Sequence, residues 1–321
     1  MKKRLIACLV ITLSLLLLLG ACGGGGAQQI RLIMATGGTG GTYYPFGGVL
    51  AGVINNNTDL QVTPNASGAS ADNLRQIAAG DAHIAFAQND VSYYAFTATE
   101  IWSEIEPIEG LRTLMALHPE PVQIVVFADS GIYSVEDLAG RRVSIGDVGS
   151  GAAVNAVQIL NAHGLTLDDF SVFNLGAGPS ANAMQDGSID AFFFTAIAPT
   201  AAIMELATRR DIRLVSIDNA RIEMLTSNYV FYARKILTSE NYTFITEPVQ
   251  TVTVHAQLVV LDSMDEQVAY DIVQAIMENR DSVIEGHRAG TYIQPEHSAT
   301  NVSVPLHPGA ARFFRETGVI G

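Results

Sequence analysis

The sequence predicts an α/β fold of two lobes joined by hinge strands, with a ligand cleft between, and three observations carry that prediction. A glycine-rich loop, Thr36-Gly37-Gly38-Thr39-Gly40-Gly41-Thr42, stands between an apolar run and an amphipathic segment. A second loop, Gly146-Asp147-Val148-Gly149-Ser150-Gly151, sits in the same place within a later unit that repeats the order of elements. Long apolar runs near residues 120 and 251 then supply two crossings between the units, which makes a hinge.

In the first unit, the run from Ile30 to Ala35 reads as a strand and the loop opens a helix. Phe46, Val49, Leu50, Val53 and Ile54 recur at i, i+3, i+4, i+7 and i+8, one apolar face, with Thr42 as N-cap and Pro45 in the first turn. Glycines allow close backbone approach, so free N–H groups and the positive end of the helix dipole should converge just beyond Gly41. Leu60 to Thr63 reads as a strand, Ser70 as the N-cap of a helix ending at Gly80, and His83 to Ala87 as a short buried strand. Gln88-Asn89-Asp90 leads into a helix with Tyr93 and Tyr94, for which Asp90 is the expected N-cap.

Leu111 to Leu117 and Val122 to Ala128 read as two strands separated by His118-Pro119-Glu120-Pro121. The second unit follows: a strand at Arg142 to Ile145, the glycine loop, a helix from Ala152 to His163 closed by Gly164, and a strand at Val172 to Leu175. A helix from Ser180 to Gln185, Gly187 and a strand at Ser188 to Phe194 complete it. Thr251 to Val260 is a long β-branched run, and Val268, Ile272, Ala275 and Ile276 lie on one face of a helix over Asp265 to Arg280. Residues 30–120 with 251–321 are therefore expected in one lobe and 121–250 in the other.

Met1-Lys2-Lys3-Arg4 followed by the apolar run Leu5 to Leu19 reads as a signal peptide over residues 1–21, ending Leu19-Gly20-Ala21-Cys22 in a pattern that resembles a bacterial lipobox. Cys22 is then the lipidated new N-terminus, residues 22–29 are a flexible tether, and the address is extracytoplasmic. With Cys8 in the leader and Cys22 lipidated, no cysteine remains for a disulfide, a thiol nucleophile or a thiolate metal site. The whole chain carries −14; losing Lys2, Lys3 and Arg4 takes 18 basic residues to 15 against 32 acidic, near −17. Nucleic acid and anionic lipid surfaces are poor partners for such a protein, whereas a small anion held by local backbone dipoles is not excluded.

The candidate ligand-binding residues follow from the loops. Gly37, Gly38, Thr39, Gly41 and Thr42 offer backbone and hydroxyl groups, and Gly149, Ser150, Gly151 and Ala152 do so from the second loop. Two opposed helix N-termini can hold a carboxylate without an arginine. Tyr43 either caps the ligand or packs beneath the helix; Ser67 and Asn73 either line the site or cap a helix. Gln88 lies at a strand end expected to face the cleft, and Phe194 and Thr195, at the corresponding strand end of the second unit, either line the pocket or belong to the core. His118 and Glu120 read as hinge structure, His83, His255 and His307 as structural histidines without metal-like spacing, and Trp102 as packing. No catalytic residue, metal ligand or cofactor is expected.

Taken together, the glycine-threonine loop running into Tyr43-Tyr44-Pro45, the Asn73-Leu74 helix, Gln88-Asn89-Asp90, Ser134 to Val143, Gly149-Ser150-Gly151 and Pro305-Leu306-His307-Pro308-Gly309-Ala310 resemble one family. It is the TAXI-type substrate-binding proteins of tripartite ATP-independent periplasmic (TRAP) transporters. The resemblance implies a periplasmic-binding-protein fold of type II, a monomer that closes on a small carboxylate such as glutamate or glutamine, and delivery to an ion-gradient-driven membrane permease. The other large TRAP receptor group clamps its carboxylate with an arginine, and the glycine loops contain none; Arg75 is the nearest basic residue in a family motif. A lipoprotein sensor without a transport role is the alternative. An enzyme fits less well, because the first loop lacks the Gly-Lys-Ser/Thr of a P-loop and the G-x-G-x-x-G spacing, and Ser150 is not in G-x-S-x-G.

Overall fold

Strands and helices alternate through the computed structural model, which describes residues 29–321. The leader, the lipobox with Cys22 and the tether up to residue 28 lie outside the described residues. In chain order the first repeat comprises β1 (Ile30–Ala35), α1 (Tyr43–Asn57), β2 (Leu60–Asn65), α2 (Ser70–Ala79), β3 (Ile84–Gln88) and α3 (Asn89–Thr97). After β4 (Leu111–Phe127) comes the second: β5 (Arg142–Ser144), α4 (Gly151–Ala162), β6 (Ser171–Phe173), α5 (Ala177–Gln185) and β7 (Ala191–Thr195). The chain continues through α6 (Ala201–Arg209), β8 (Ile212–Leu214), α7 (Asn219–Asn228), β9 (Ala233–Leu237) and β10 (Val249–Leu261). It ends with α8 (Glu266–Glu278), α9 (Arg280–Gly286), α10 (Pro295–Thr300) and α11 (Pro308–Glu316).

The repeat read from the glycine loops is a repeat of topology. The sheet order is β2-β1-β3-β10-β4-β7-β5-β6, with β9 on β10 and β8 on β4, so β2-β1-β3-β10 mirrors β6-β5-β7-β4. In each half the central pair is parallel (β1 with β3, β5 with β7) and the next strand is antiparallel. Ligand sites in such sheets lie beyond the carboxyl ends of the parallel strands, where the glycine loops begin.

Helices cover both faces of each half. Phe46, Leu50 and Ile54 of α1 pack with Ile272 and Ile276 of α8 and Phe314 of α11 on one face of the first half, and Leu74, Ile77, Tyr94 and Trp102 cover the other. In the second half α4 and α7 bury Ile159 and Ile222 on one face, while α5 and α6 bury Met184 and Ile203 on the other. Arg75 stacks its guanidinium over Trp102 at 5.1 Å, which spends this cation on packing.

Four local expectations need correction. The two strands expected around residue 120 are one 17-residue strand, β4, with both prolines inside it. Pro119 and Pro121 sit opposite His255 and Thr253, and the β4–β10 register slips between His255 and Gln257, an irregularity of the kind that accommodates proline within a ladder. Ser70 is the first residue of α2, not its N-cap; Ala69 holds that position at φ 70° and the Ser70 hydroxyl instead accepts from the Gln88 N–H at 3.1 Å. Asp90 lies inside the first turn of α3, with Gln88 at the N-cap position; its buried carboxylate accepts from Asn155 of α4 at 2.8 Å. Helix α5 begins at Ala177, three residues before the expected start at Ser180, because Pro179 suits a first turn.

Candidate functional site

The first glycine loop folds back through a Gly41 N–H to Gly38 carbonyl bond of 3.0 Å, and α1 starts immediately after it. Thr42 is buried at the N-cap position but its hydroxyl makes no capping bond, so the leading N–H groups of α1 are not covered from that side. Across from it, the Ser150 hydroxyl accepts from the Ala153 N–H at 3.1 Å and so caps α4, a structural use for the one serine weighed as a nucleophile. The start of α5, Gly176 to Pro179, closes the third side.

These three helix starts enclose a cavity of about 400 Å³, within the range of about 300–1,000 Å³ usual for small-molecule sites. Thirteen of the residues expected at the site line it: Gly37, Gly38, Thr39, Gly41, Thr42 and Tyr43 from the first loop and α1, with Ser67 and Gln88 from the same half, and Ser150, Gly151, Ala152, Phe194 and Thr195 from the other half. Asn73 and Gly149 do not line it. Asn73 is fully buried and donates to the carbonyls of Thr36 and Phe86 at 2.6 and 2.7 Å, while its oxygen accepts from Ser67, so it pins β1, β3 and the Ser67 turn. Gly149, at φ 80°, turns its carbonyl to the N–H groups of Ala71 and Asp72 at 2.8 and 3.2 Å and ties the second loop to α2.

Tyr43 both packs and lines. Its ring lies 4.9 Å from Phe86, and its hydroxyl donates to Glu120 at 2.7 Å. Glu120 thereby enters the cavity wall from β4, where the sequence suggests only hinge structure. Burial lifts the Glu120 carboxyl to about 8, against the lowering pull of hydrogen bonds from Tyr43 and Gln88. Neighbouring His118 is buried with it and pushed down to about 3, so it is a neutral neighbour and no counter-charge. Asp147, Gly176, Gly178 and Asn182 complete the far side. No Lys, Arg or His occurs among the described residues of the wall.

Sequence reasoning missed Glu120 because nothing local separates a hinge carboxylate from a site carboxylate, and missed the α5 start because the helix was expected to begin at Ser180, beyond the residues that line the cavity. The signal available for the latter was Gly176-Ala177-Gly178-Pro179, a small-residue approach to a helix with proline in its first turn.

Gly40 and Gly178, both in the cavity wall, bring the two halves into backbone contact. A methyl group on Gly40 would lie 3.1 Å from the Gly178 nitrogen and 3.2 Å from its α-carbon. At the floor, a methyl group on Gly151 would overlap the Gln88 side-chain oxygen. Among the described residues no helix is long and apolar enough to cross a membrane.

The fold is shared with solved binding proteins. An alkanesulfonate-binding protein from Xanthomonas axonopodis pv. citri, bound to MOPS, is 16% identical, with 90% of this chain and 85% of that chain covered at a TM-score of 0.51. A binding protein component of an ABC phosphonate transporter from Pseudomonas aeruginosa is 10% identical, covering 83% and 80% at 0.53. A structure described as a periplasmic transporter is 13% identical, covering 92% and 94% at 0.52. The architecture is an α/β fold with a curled sheet, periplasmic-binding-protein type II-like. The sequence matches the NMT1-like family over residues 34–318, and the chain belongs to that family.

Proposed function

We propose that the protein is an extracytoplasmic solute receptor that binds a small carboxylate in the cavity between two lobes, residues 30–120 with 251–321 and residues 121–250, and hands it to a TRAP permease. The observation that carries this reading is the convergence of three helix starts, at Tyr43, Gly151 and Ala177, on one enclosed cavity contributed by both halves of the sheet. Helix N-termini favour negative charge through unpaired N–H groups and the helix dipole. Binding by one half gains contacts to the other, which shifts an open–closed equilibrium toward a closed form, and the backbone proximity of Gly40 and Gly178 supports this reading. The pairing with a TRAP permease, the monomeric state and the lipid anchor at Cys22 rest on the TAXI resemblance and the lipobox pattern.

A thermal-shift screen of purified protein over amino acids, keto acids and dicarboxylates tests the ligand class: at least one small carboxylate should raise the Tm. Stabilisation by neutral or cationic solutes alone would reject it. A second reading, an ABC-type permease as partner, is favoured by the ABC phosphonate transporter component among the fold neighbours. Uptake measured after deleting the adjacent permease genes identifies the partner, and unchanged uptake would instead favour a sensor.

A further inference from the structure

The cavity wall has two unlike sides. One is made of donors, the leading N–H groups of α1, α4 and α5. The other is made of acceptors. Gln88 is 2% exposed, and its oxygen is buried without a hydrogen-bond partner at the cavity floor. The same side chain lowers the Glu120 carboxyl as a hydrogen-bond donor, a role open only to its amide nitrogen. The Thr195 hydroxyl, also in the wall and buried, has no partner either. Glu120 accepts from Tyr43 and Gln88, so a carboxylate with about four acceptor positions keeps capacity for further donors.

A ligand that carried only negative groups would meet its match on the donor side. It would leave the Gln88 oxygen buried and unpaired, and would leave Glu120 in its neutral form, with no cation in the wall to pair with a carboxylate. A ligand with an ammonium group beside its carboxylate supplies a donor for the Gln88 oxygen and a counter-charge for an ionised Glu120. We infer that Glu120, with the Gln88 oxygen, forms an ammonium subsite at the cavity floor and makes the receptor select amine-bearing carboxylates over amine-free ones of the same skeleton.

This inference rests on the proposed reading of the cavity as a carboxylate site. It carries a proton with it. The groups facing Glu120 are Tyr43 from α1, Gln88 at the end of β3 and His118 on β4 itself, with Asp90 as the next carboxyl. None is a cation: burial keeps His118 neutral, and the empty cavity holds Glu120 protonated at pH 7. An arriving ammonium favours the carboxylate form, and the displaced proton leaves to solvent.

Calorimetric titrations of glutamate, 2-oxoglutarate and glutarate, and of alanine and pyruvate, into wild-type protein and Glu120→Gln test the subsite. At least one amino acid should bind about 10- to 100-fold more tightly than its amine-free partner, and Glu120→Gln should erase that preference. In wild-type protein the binding enthalpy of that amino acid at pH 7 should also differ between phosphate and Tris buffers by the heat of about one released proton, and in Glu120→Gln it should not. Equal or tighter binding of the amine-free compounds to wild-type protein would overturn the subsite while leaving the carboxylate reading standing, and that comparison needs no variant. A preference that survives in a folded Glu120→Gln would overturn it too. Failure of every compound in both series would reject the carboxylate reading, and the subsite with it.

Discussion

The side-chain oxygen of Gln88 occupies the space where a side chain on Gly151 would begin, so the floor of the cavity depends on a glycine in the opposite half of the sheet. Gly151→Ala must push Gln88 off the start of α4 and into the cavity. The expected outcome is a loss of ligand affinity of about tenfold or more, since overpacking costs of about 1–3 kcal/mol are typical. Unfolding should remain cooperative with a similar midpoint, because the ligand-free cavity has room for the displaced amide. Unchanged affinity in calorimetry would show that the floor yields without cost.

The contact between Gly40 and Gly178 is asymmetric. A methyl on Gly40 meets Gly178 backbone at 3.1 Å, whereas a methyl on Gly178 comes no nearer than 4.0 Å to Gly40. Gly40→Ala should therefore disfavour the closed form, with weaker binding and a larger radius of gyration by solution scattering at saturating ligand. Gly178→Ala should behave as wild type. Equal effects from the two substitutions would mean that this contact does not govern closure.

Buried acids and histidines give the ligand-free protein opposed pH limbs. Burial raises Glu120 from 4.5 to about 8 and Asp90 from 3.8 to about 6. Each holds its proton more tightly folded than unfolded, so its stabilising contribution is complete below the unfolded value and is lost as pH rises through the folded one. Burial lowers His118 from 6.5 to about 3, so its contribution is complete above 6.5 and is lost as pH falls through 3. The lowered histidines, His118 and His255 among them, add stability as pH rises through 6.5, so urea midpoints of the wild type should fall only above about pH 7, toward 8, and Glu120→Gln should flatten that fall and steepen the rise between pH 4.5 and 6.5. A variant curve parallel to wild type above pH 7 would assign the limb to another group.

Helices α8 and α11 cross at a glycine. A methyl on Gly309 would overlap the Glu266 carbonyl oxygen and lie 2.8 Å from the Tyr270 nitrogen, so the helices cannot keep their spacing. Gly309→Ala should cost about 1–3 kcal/mol in urea unfolding. Once folded, the variant should bind ligand as wild type does, because neither helix reaches the cavity wall. A stability change within about 0.5 kcal/mol would show that α11 shifts freely.

Much of this fold is legible in the sequence. The glycine loops, the face of α1 and the Gly80 and Gly187 helix ends are local features, each set by a few neighbouring residues, and they were enough to predict the repeat that the strand order displays. Thirteen of the expected site residues line one cavity because loop and helix start are contiguous in sequence. What stayed hidden depends on distant partners. Asn73 belongs to the interior because Thr36 and Phe86 present carbonyls to it, and Glu120 belongs to the cavity because Tyr43 reaches across to it from α1. The continuity of β4 through two prolines was equally invisible, since it is granted by the irregular register of β10, more than 130 residues later.

That same strand sets the order in which the protein can be made. β10 pairs with β3 on one edge and β4 on the other, so nothing bridges those two strands until Val249–Leu261 has been synthesised. Pairing across so long a stretch of chain must first overcome the loop-closure entropy, which makes it slow. The first half therefore lacks the strand that joins it to the second for most of translation. The two halves gain their shared sheet only after β10 has emerged, although the pairings within each half do not wait for it.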